Sequence, residues 1–424
     1  MNNYLLFFIA LIPIVWLMVS LGVLKMPGHK TCSITLVITI ILAIIVWKMP
    51  ISQALTATLE GAAMAIWPII VVIIAAVFTY NLSIHTKSMD VIKDMMTGIT
   101  TDKRILVLIV AWGFGGFLEA IAGFGTAVAI PASILAALGF NPIFAAIICL
   151  IANTTPTAFG AIGLPVTTLA KVAGIDPVTL SYAVGIQLFA LIAILPLILV
   201  MLTGKSVKAI KGVVLICLAS GLAFAIPELL VAKYLGAELP ALIGSIICII
   251  VTVAIAKIFY KKTAATDKVK ISAKQGIIAW VPFILILTLI LITSSLVPAI
   301  NKPLSAIQTS IQIYTGPHAK ISTFIWIANP GTLIIIATFI GGLVQGAKFK
   351  EIVQVFINTC KQMSKTAITI VAIVSLAKVM SHSGMITSIA VVLVAATGSF
   401  YPLFAPIIGA LGTFVTGKIG RAHV

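Results

Sequence analysis

From Ala120 to Ala170 the chain runs fifty-one residues without an Asp, Glu, Lys or Arg, and one carboxylate, Glu119, stands at the head of the run. No water-soluble domain can be covered by such a stretch. The rest of the sequence extends the constraint. Only 9% of the 424 residues are charged, 61% are hydrophobic, and the mean hydropathy is +1.24. Soluble chains carry about 25% charged residues. The chain is therefore a polytopic membrane protein. Its apolar runs do not alternate, so they predict helices rather than the strands of a barrel. They fall near 4–24, 32–47, 61–80, 105–118, 177–203, 212–230, 239–259, 276–299, 322–346, 366–380 and 385–400. Several exceed the ~20 residues that cross a bilayer. The expected fold is all-α, with about 11–13 transmembrane or re-entrant segments in a two-half carrier architecture with interrupted helices.

The formal charge of +17 does not signal nucleic acid. The Lys and Arg residues lie in short loops between apolar runs, which is the positive-inside pattern, and not on one basic face. The loop at 260–275 holds Lys261, Lys262, Lys268, Lys270 and Lys274 and is cytoplasmic on this rule. Counting back, an odd number of crossings over 105–175 leaves Lys25 and Lys30 inside and the N-terminus outside. The N-terminus lacks the basic region of a cleaved signal, so 4–24 is read as a first span. The 300–321 loop falls outside and is expected to form a surface helix or lid. Five cysteines sit in or beside apolar segments without Cys-x-x-Cys or Cys/His spacing, which suggests neither a disulfide framework nor a metal. There is no P-loop or nucleophile elbow, so no cofactor is implied and an enzyme is not expected.

Residues 111–170 read AWGFGGFLEAIAGFGTAVAIPASILAALGFNPIFAAIICLIANTTPTAFGAIGLPVTTLA. Proline removes a backbone donor, and lipid cannot satisfy the carbonyl it frees. Glycine- and proline-broken apolar segments point to a transporter binding site. Two interrupted elements are read here, one centred on Ala122–Thr126 and one on Asn153–Pro156. A half-helix starting near Thr126 or Pro156 aims backbone N–H groups into the membrane, where they suit an anion. Gly123, Gly125, Thr126, Asn153 and Thr154 are the substrate-binding candidates. The donor-rich setting suits a small carboxylate better than a cation.

Glu119 is the proton-coupling candidate, because an intramembrane carboxylate is costly and marks function. Lys378 lies between long uncharged runs and pairs with Glu119, pairs with an anionic substrate, or snorkels from a helix end. His382 shares its face if the helix continues, although Ser381, Ser383 and Gly384 suggest a break. Lys378, Ser381 and His382 complete the substrate-binding candidates. Glu228 and Glu238 flank a short loop with Lys233 and are expected to be solvated.

GGFLEAIAGFGTAVAIPASILAALGF followed by LIANTTPTAFGAIGLPV resembles the lactate permease family of bacterial secondary carriers, and VMSHSGM and GALGTFVTG resemble its second-half motifs. The resemblance implies proton-coupled import of lactate, glycolate or another 2-hydroxy monocarboxylate through the inner membrane. A sodium-coupled carrier of another small organic anion, or an anion channel, is the alternative. The resemblance also implies two similar halves, with Thr413 and Gly417 in the second, and a chain that continues beyond Gly417. Here the sequence ends Lys-Ile-Gly-Arg-Ala-His-Val. Ile419–Val424 matches the translation of a sequencing-library adapter, so the expectation is a carrier domain over 1–417 and a non-native tail over 418–424.

Overall fold

The computed structural model describes residues 2–97, 99–121, 126–260, 272–293, 297–317 and 319–398. In chain order its helices are α1 (Asn3–Gly22), α2 (Gly28–Ile45), α3 (Ile51–Met64), α4 (Val71–His85), α5 (Ser88–Thr97), α6 (Lys103–Val107), α7 (Gly115–Ile121), α8 (Thr126–Ala137), α9 (Pro142–Ala152), α10 (Gly160–Ala173), α11 (Pro177–Thr203), α12 (Val214–Leu235), α13 (Pro240–Phe259), α14 (Ala273–Thr293), α15 (Pro298–Ser305), α16 (Pro330–Val344), α17 (Phe349–Ser383) and α18 (Met385–Thr397). Two antiparallel strands, β1 (Gln308–Ile311) and β2 (Ser322–Ile325), pair with Gln308 opposite Ile325. Among the described residues, nine helical spans are long and apolar enough to cross a membrane, and the bent pair Pro142–Ala152 with Pro156–Ala170 makes a tenth. The fold is all-α and polytopic, as expected.

Boundaries differ where polar residues interrupt the apolar signal. The expected helix at 322–346 divides. Ser322–Ile325 is a strand, and α16 starts only at Pro330, where the Asn329 side chain accepts the Gly331 N–H at 2.8 Å. Asn at the cap with Pro at the first position sets that start. The expected helix at 366–380 begins at Phe349, because the first turns of α17 carry Lys350, Glu351 and Gln354 and hydropathy alone misses them. The expected helix at 61–80 begins at Ile51 and is interrupted at Trp67 (φ −126, ψ 119), the residue before Pro68. The 300–321 loop contains α15 and β1.

The described residues form two compact units. One comprises Met1–Val71, Ser305–Trp326 and the chain from Cys360; the other comprises Val72–Leu304 and Ile327–Thr359. In the first unit α1 packs on α2 and α18 around a core that includes Ala10, Ala43, Ala54 and Ala57. Lipid tails are as apolar as leucine, so small residues that let backbones approach hold such helices together. Gly61 is the extreme case, since a Cβ there would strike the backbone of Ser375 on α17. The Ser375 hydroxyl donates to the Thr58 carbonyl at 2.9 Å across the same contact.

In the second unit α11, α12 and α13 pack in succession. Phe224 of α12 meets Trp112 at 4.9 Å between ring centroids and fills the space left by Gly116 and Gly244. Phe117 of α7 packs edge-on against Trp280 and Phe283 of α14. Helices α4 and α16 are joined by hydroxyls: Thr79 to Thr338 at 2.6 Å, with Thr86 just beyond α4 donating to Gln345 at 2.8 Å. Both partners are 259 residues apart, and the two contacts are two helical turns apart on each helix, so α4 and α16 run parallel. The same offset carries the start of α8 at Thr126 to the start of α18 at Met385. It also carries Gly125 to Gly384 and Glu119 to Lys378. Shifted by one further residue, Pro142-Ile-Phe-Ala-Ala-Ile-Ile recurs as Pro402-Leu-Phe-Ala-Pro-Ile-Ile. Short sequence similarities thus recur at an offset of 259–260 residues.

Candidate functional site

The second unit contains the break expected at Asn153–Pro156. Helix α9 is started by Asn141, whose side chain accepts the N–H groups of Ile143 and Phe144 at 3.0 and 3.1 Å, and by Pro142. It stops at Ala152. Pro156 cannot donate to the preceding turn, and Pro156–Phe159 form a single 3-10 turn. Ala161, Ile162 and Gly163 then take φ of 44, 57 and 68 before the right-handed helix resumes. Each non-glycine residue in this left-handed region costs ~1–2 kcal/mol. Gly163 is required twice over, because a Cβ would also run into the Ala237 carbonyl. The two arms meet at 65°. Strained, broken backbone at membrane depth is tolerated only within protein or around a cavity, and Pro156 and Phe159 are buried.

Polar groups converge on this break. The Thr155 hydroxyl is fully buried and Asn153 is 8% exposed, and neither the Thr155 Oγ1 nor the Asn153 Oδ1 has a hydrogen-bond partner among the described residues. Thr154 is exposed, and its hydroxyl donates back to the Ile151 carbonyl at 2.7 Å. The inward hydroxyl is therefore that of Thr155, which lies within the expected break, and not that of the candidate Thr154. Glu119 on α7 is 4% exposed, and its carboxyl group lies where a Cβ of residue 160 would be. Gly160 thus lets Glu119 approach the start of α10. The structure places Glu119 against Gly160, four residues past Pro156 in the break that Asn153 and Thr155 open. Thr126 opens α8. Gly123 and Gly125 lie outside the described residues, as do Thr413, Gly417 and the expected tail at 418–424.

A second carboxylate corrects the sequence reading. Glu228 is not solvated. Helix α12 continues to Leu235, which puts Glu228 nearly two turns inside it, 1% exposed, with neither oxygen hydrogen-bonded among the described residues. A helix that ends at 230, as the apolar run alone predicts, puts it at a loop. Lys233 lies over the rings of Tyr182 and Tyr234.

The first unit holds Lys378 and His382. Helix α17 runs through Ser383, so the two residues share a face, and the break falls at Gly384 (φ 87). Both meet one carboxylate. Lys378 Nζ is 2.8 Å from Glu60 Oε1, and His382 Nε2 is 2.8 Å from Glu60 Oε2. Lys378 therefore takes Glu60 as its partner, where Glu119 or substrate had been weighed. Tyr314 stacks on the His382 ring at 3.7 Å with an 18° interplanar angle and is 2% exposed. Burial, and after it the Glu60 charge, push the Tyr314 hydroxyl above its ordinary range. Ser381, by contrast, is exposed. Glu60 carried the same signal as Glu119, a lone acid in an apolar run. An apolar run taken from Gly61 leaves it just outside the expected helix.

A family model described as L-lactate permease matches residues 6–420. An L-lactate permease of Streptococcus iniae is 57% identical over 98% of this chain and 88% of its own. The glycolate permease GlcA of Escherichia coli is 34% identical over 97% of this chain and 80% of its own. An L-lactate permease of Bacillus subtilis is 32% identical over 98% of this chain and 81% of its own. No solved structure matches.

Proposed function

Since the chain belongs to the L-lactate permease family, we propose that it imports lactate, or a related 2-hydroxy monocarboxylate such as glycolate, together with protons across the bacterial inner membrane, with its N-terminus outside. The relatives' names support the substrate class. The observation that carries the mechanism is the approach of the buried Glu119 carboxyl to Gly160, at the break between α9 and α10. A carboxyl group there can hold a proton where an anion can bind. With the proton on, the site loses its negative charge and admits the substrate's. With the proton off, like charge drives the anion away.

Asn153 and Thr155 supply side-chain polar groups, and Gly123, Gly125, Thr126 and Thr154 complete the proposed half-site from the sequence. The anion and proton move together, so the inward proton gradient can accumulate substrate. The test is labelled L-lactate uptake into proteoliposomes under an imposed pH gradient, for wild type and Glu119→Gln. Accumulation by wild type with mere equilibration by the variant supports the reading. Wild-type accumulation by Glu119→Gln removes Glu119 from coupling. Accumulation driven by a sodium gradient in place of protons removes proton coupling.

A further inference from the structure

The cluster on Glu60 has the form of a filled binding site. Its two oxygens are each held at 2.8 Å by a different nitrogen, one from Lys378 and one from His382. That is how two donors one helical turn apart grip any carboxylate, since charge-assisted bonds to both oxygens fix the group in orientation as well as place. Tyr314 covers the imidazole, and Gly316 packs tightly on the Tyr314 ring. Lys378 and His382 keep 17% and 18% of their side chains exposed, while Glu60 keeps 4%. The gripping groups therefore keep some accessible surface, and the gripped one is nearly covered.

A purely structural role explains this poorly. Desolvation cancels most of the attraction in a buried ion pair, so apolar residues hold two helices at least as well. Helices α3 and α17 are already joined by the close approach of Gly61 to Ser375 and by the bond from Ser375 to Thr58. The sequence offset adds an independent argument. Lys378 stands six residues before Gly384, as Glu119 stands six before Gly125. The later position thus presents a cation where the earlier one has an acid.

We propose that Lys378 and His382 form a clamp for the carboxylate of a small monocarboxylate ligand, and that Glu60 is its built-in occupant, which the ligand displaces. The inference deepens the carrier reading and rests on it for the ligand class. Glu60 competes with the ligand for the same two nitrogens. It neutralises the clamp when no anion is present, and moving it aside opens the site.

A competitor's removal raises affinity, which a structural ion pair does not predict. Isothermal titration of the purified full chain with L-lactate, glycolate and acetate, with lactamide as a neutral control, makes the test. Glu60→Gln is expected to bind the carboxylates about tenfold more tightly than wild type, the scale of one charge-assisted bond no longer contested. Lys378→Gln is expected to lose binding, and lactamide to bind no variant. Should Glu60→Gln not purify as a single species, Glu60→Asp replaces it. Its shorter side chain cannot span both nitrogens, and a smaller tightening is expected. Unchanged or weaker binding by the Glu60 variants overturns the proposal, as does carboxylate binding that survives Lys378→Gln. Failure to bind any of the three probes overturns it as well. The clamp is read from binding by the Glu60 and Lys378 variants alone, so loss of proton-driven accumulation in Glu119→Gln bears on the coupling reading and not on the clamp.

Discussion

Gly160→Ala is a probe of Glu119 that never touches Glu119. Gly160 has φ −67 and ψ 160, ordinary extended backbone that alanine adopts freely, so the substitution carries no conformational penalty of its own. Its whole effect comes from the added methyl. An ideal Cβ there lies 3.1 Å from both Cγ and Cδ of Glu119 and closer still to Oε1. Ordinary contact needs ~3.5–4.0 Å, so the carboxyl must retreat by roughly 1 Å. Overpacking of this kind costs ~1–3 kcal/mol, and a misplacement of ~1 Å at a working group can cost ~100-fold in rate. The expected result is a lower Tm in detergent and a large loss of proton-driven lactate accumulation, with the chain still folded. Glu119→Asp withdraws the carboxyl by one methylene, so the double variant is expected to recover most of the lost stability. That recovery is a coupling between neighbours, measured by a double-mutant cycle. Additive stability losses would refute the contact. Wild-type stability and uptake in Gly160→Ala would refute both the contact and its role.

Glu228→Met is expected to stabilise the protein by ~1–3 kcal/mol, seen as a raised Tm, because it replaces a buried carboxyl group with no hydrogen-bond partner among the described residues by an apolar side chain of similar size. A lowered Tm would mean that Glu228 makes a contact of its own. Gly163→Ala is expected to abolish expression or cost at least ~1–2 kcal/mol, since it puts a Cβ at φ 68 and into the Ala237 carbonyl; wild-type yield and Tm would count against the left-handed turn. Asp102, outside the spans, caps α6 by accepting the Arg104 N–H at 2.9 Å and pairs with its guanidinium at 2.7 Å. Burial alone would raise its carboxyl, but the Arg104 contacts outweigh it and hold the group below its ordinary range. Its stabilisation is therefore complete above the unfolded value of ~3.9 and fades as pH falls through the depressed folded value. Asp102→Ala is expected to cost ~1 kcal/mol at neutral pH and progressively less in acid, which Tm against pH would record; a cost independent of pH across that range would refute it.

Composition and hydropathy sufficed for the fold class because lipid enforces helices on any long apolar run. The same rule made the proline-broken segment at Asn153–Pro156 legible, and the structure bends the chain there by 65°. Residue roles within the break were less legible. Thr154 and Thr155 are adjacent and chemically alike, and only the 3-10 turn at Pro156 decides that Thr155 faces inward. Glu228 is expected at a margin, and Glu60 draws no expectation, for one reason: an error of a few residues in a helix end moves an acid from the interior to its edge. The pairing of Lys378 with Glu60 joins residues 318 apart and has no local sequence signal. His382 was legible as a face-mate of Lys378 because helical spacing alone determines it.

The offset of 259 residues gives these residues a common logic. At that offset the glycine that precedes α8 in the sequence, Gly125, corresponds to the one that precedes α18, Gly384. Two corresponding positions with the same charge would serve one ligand twice. Here one carries a carboxylate, Glu119, and the other an ammonium, Lys378. A carrier that moves an anion with a proton needs both chemistries, one group that exchanges a proton and one that holds a carboxylate. Divergence at a single corresponding position provides both. On this reading Glu60 follows from the cation, because an intramembrane lysine left without a counter-ion between substrates is costly. A carboxylate of the chain's own can fill that interval and give way to one from outside.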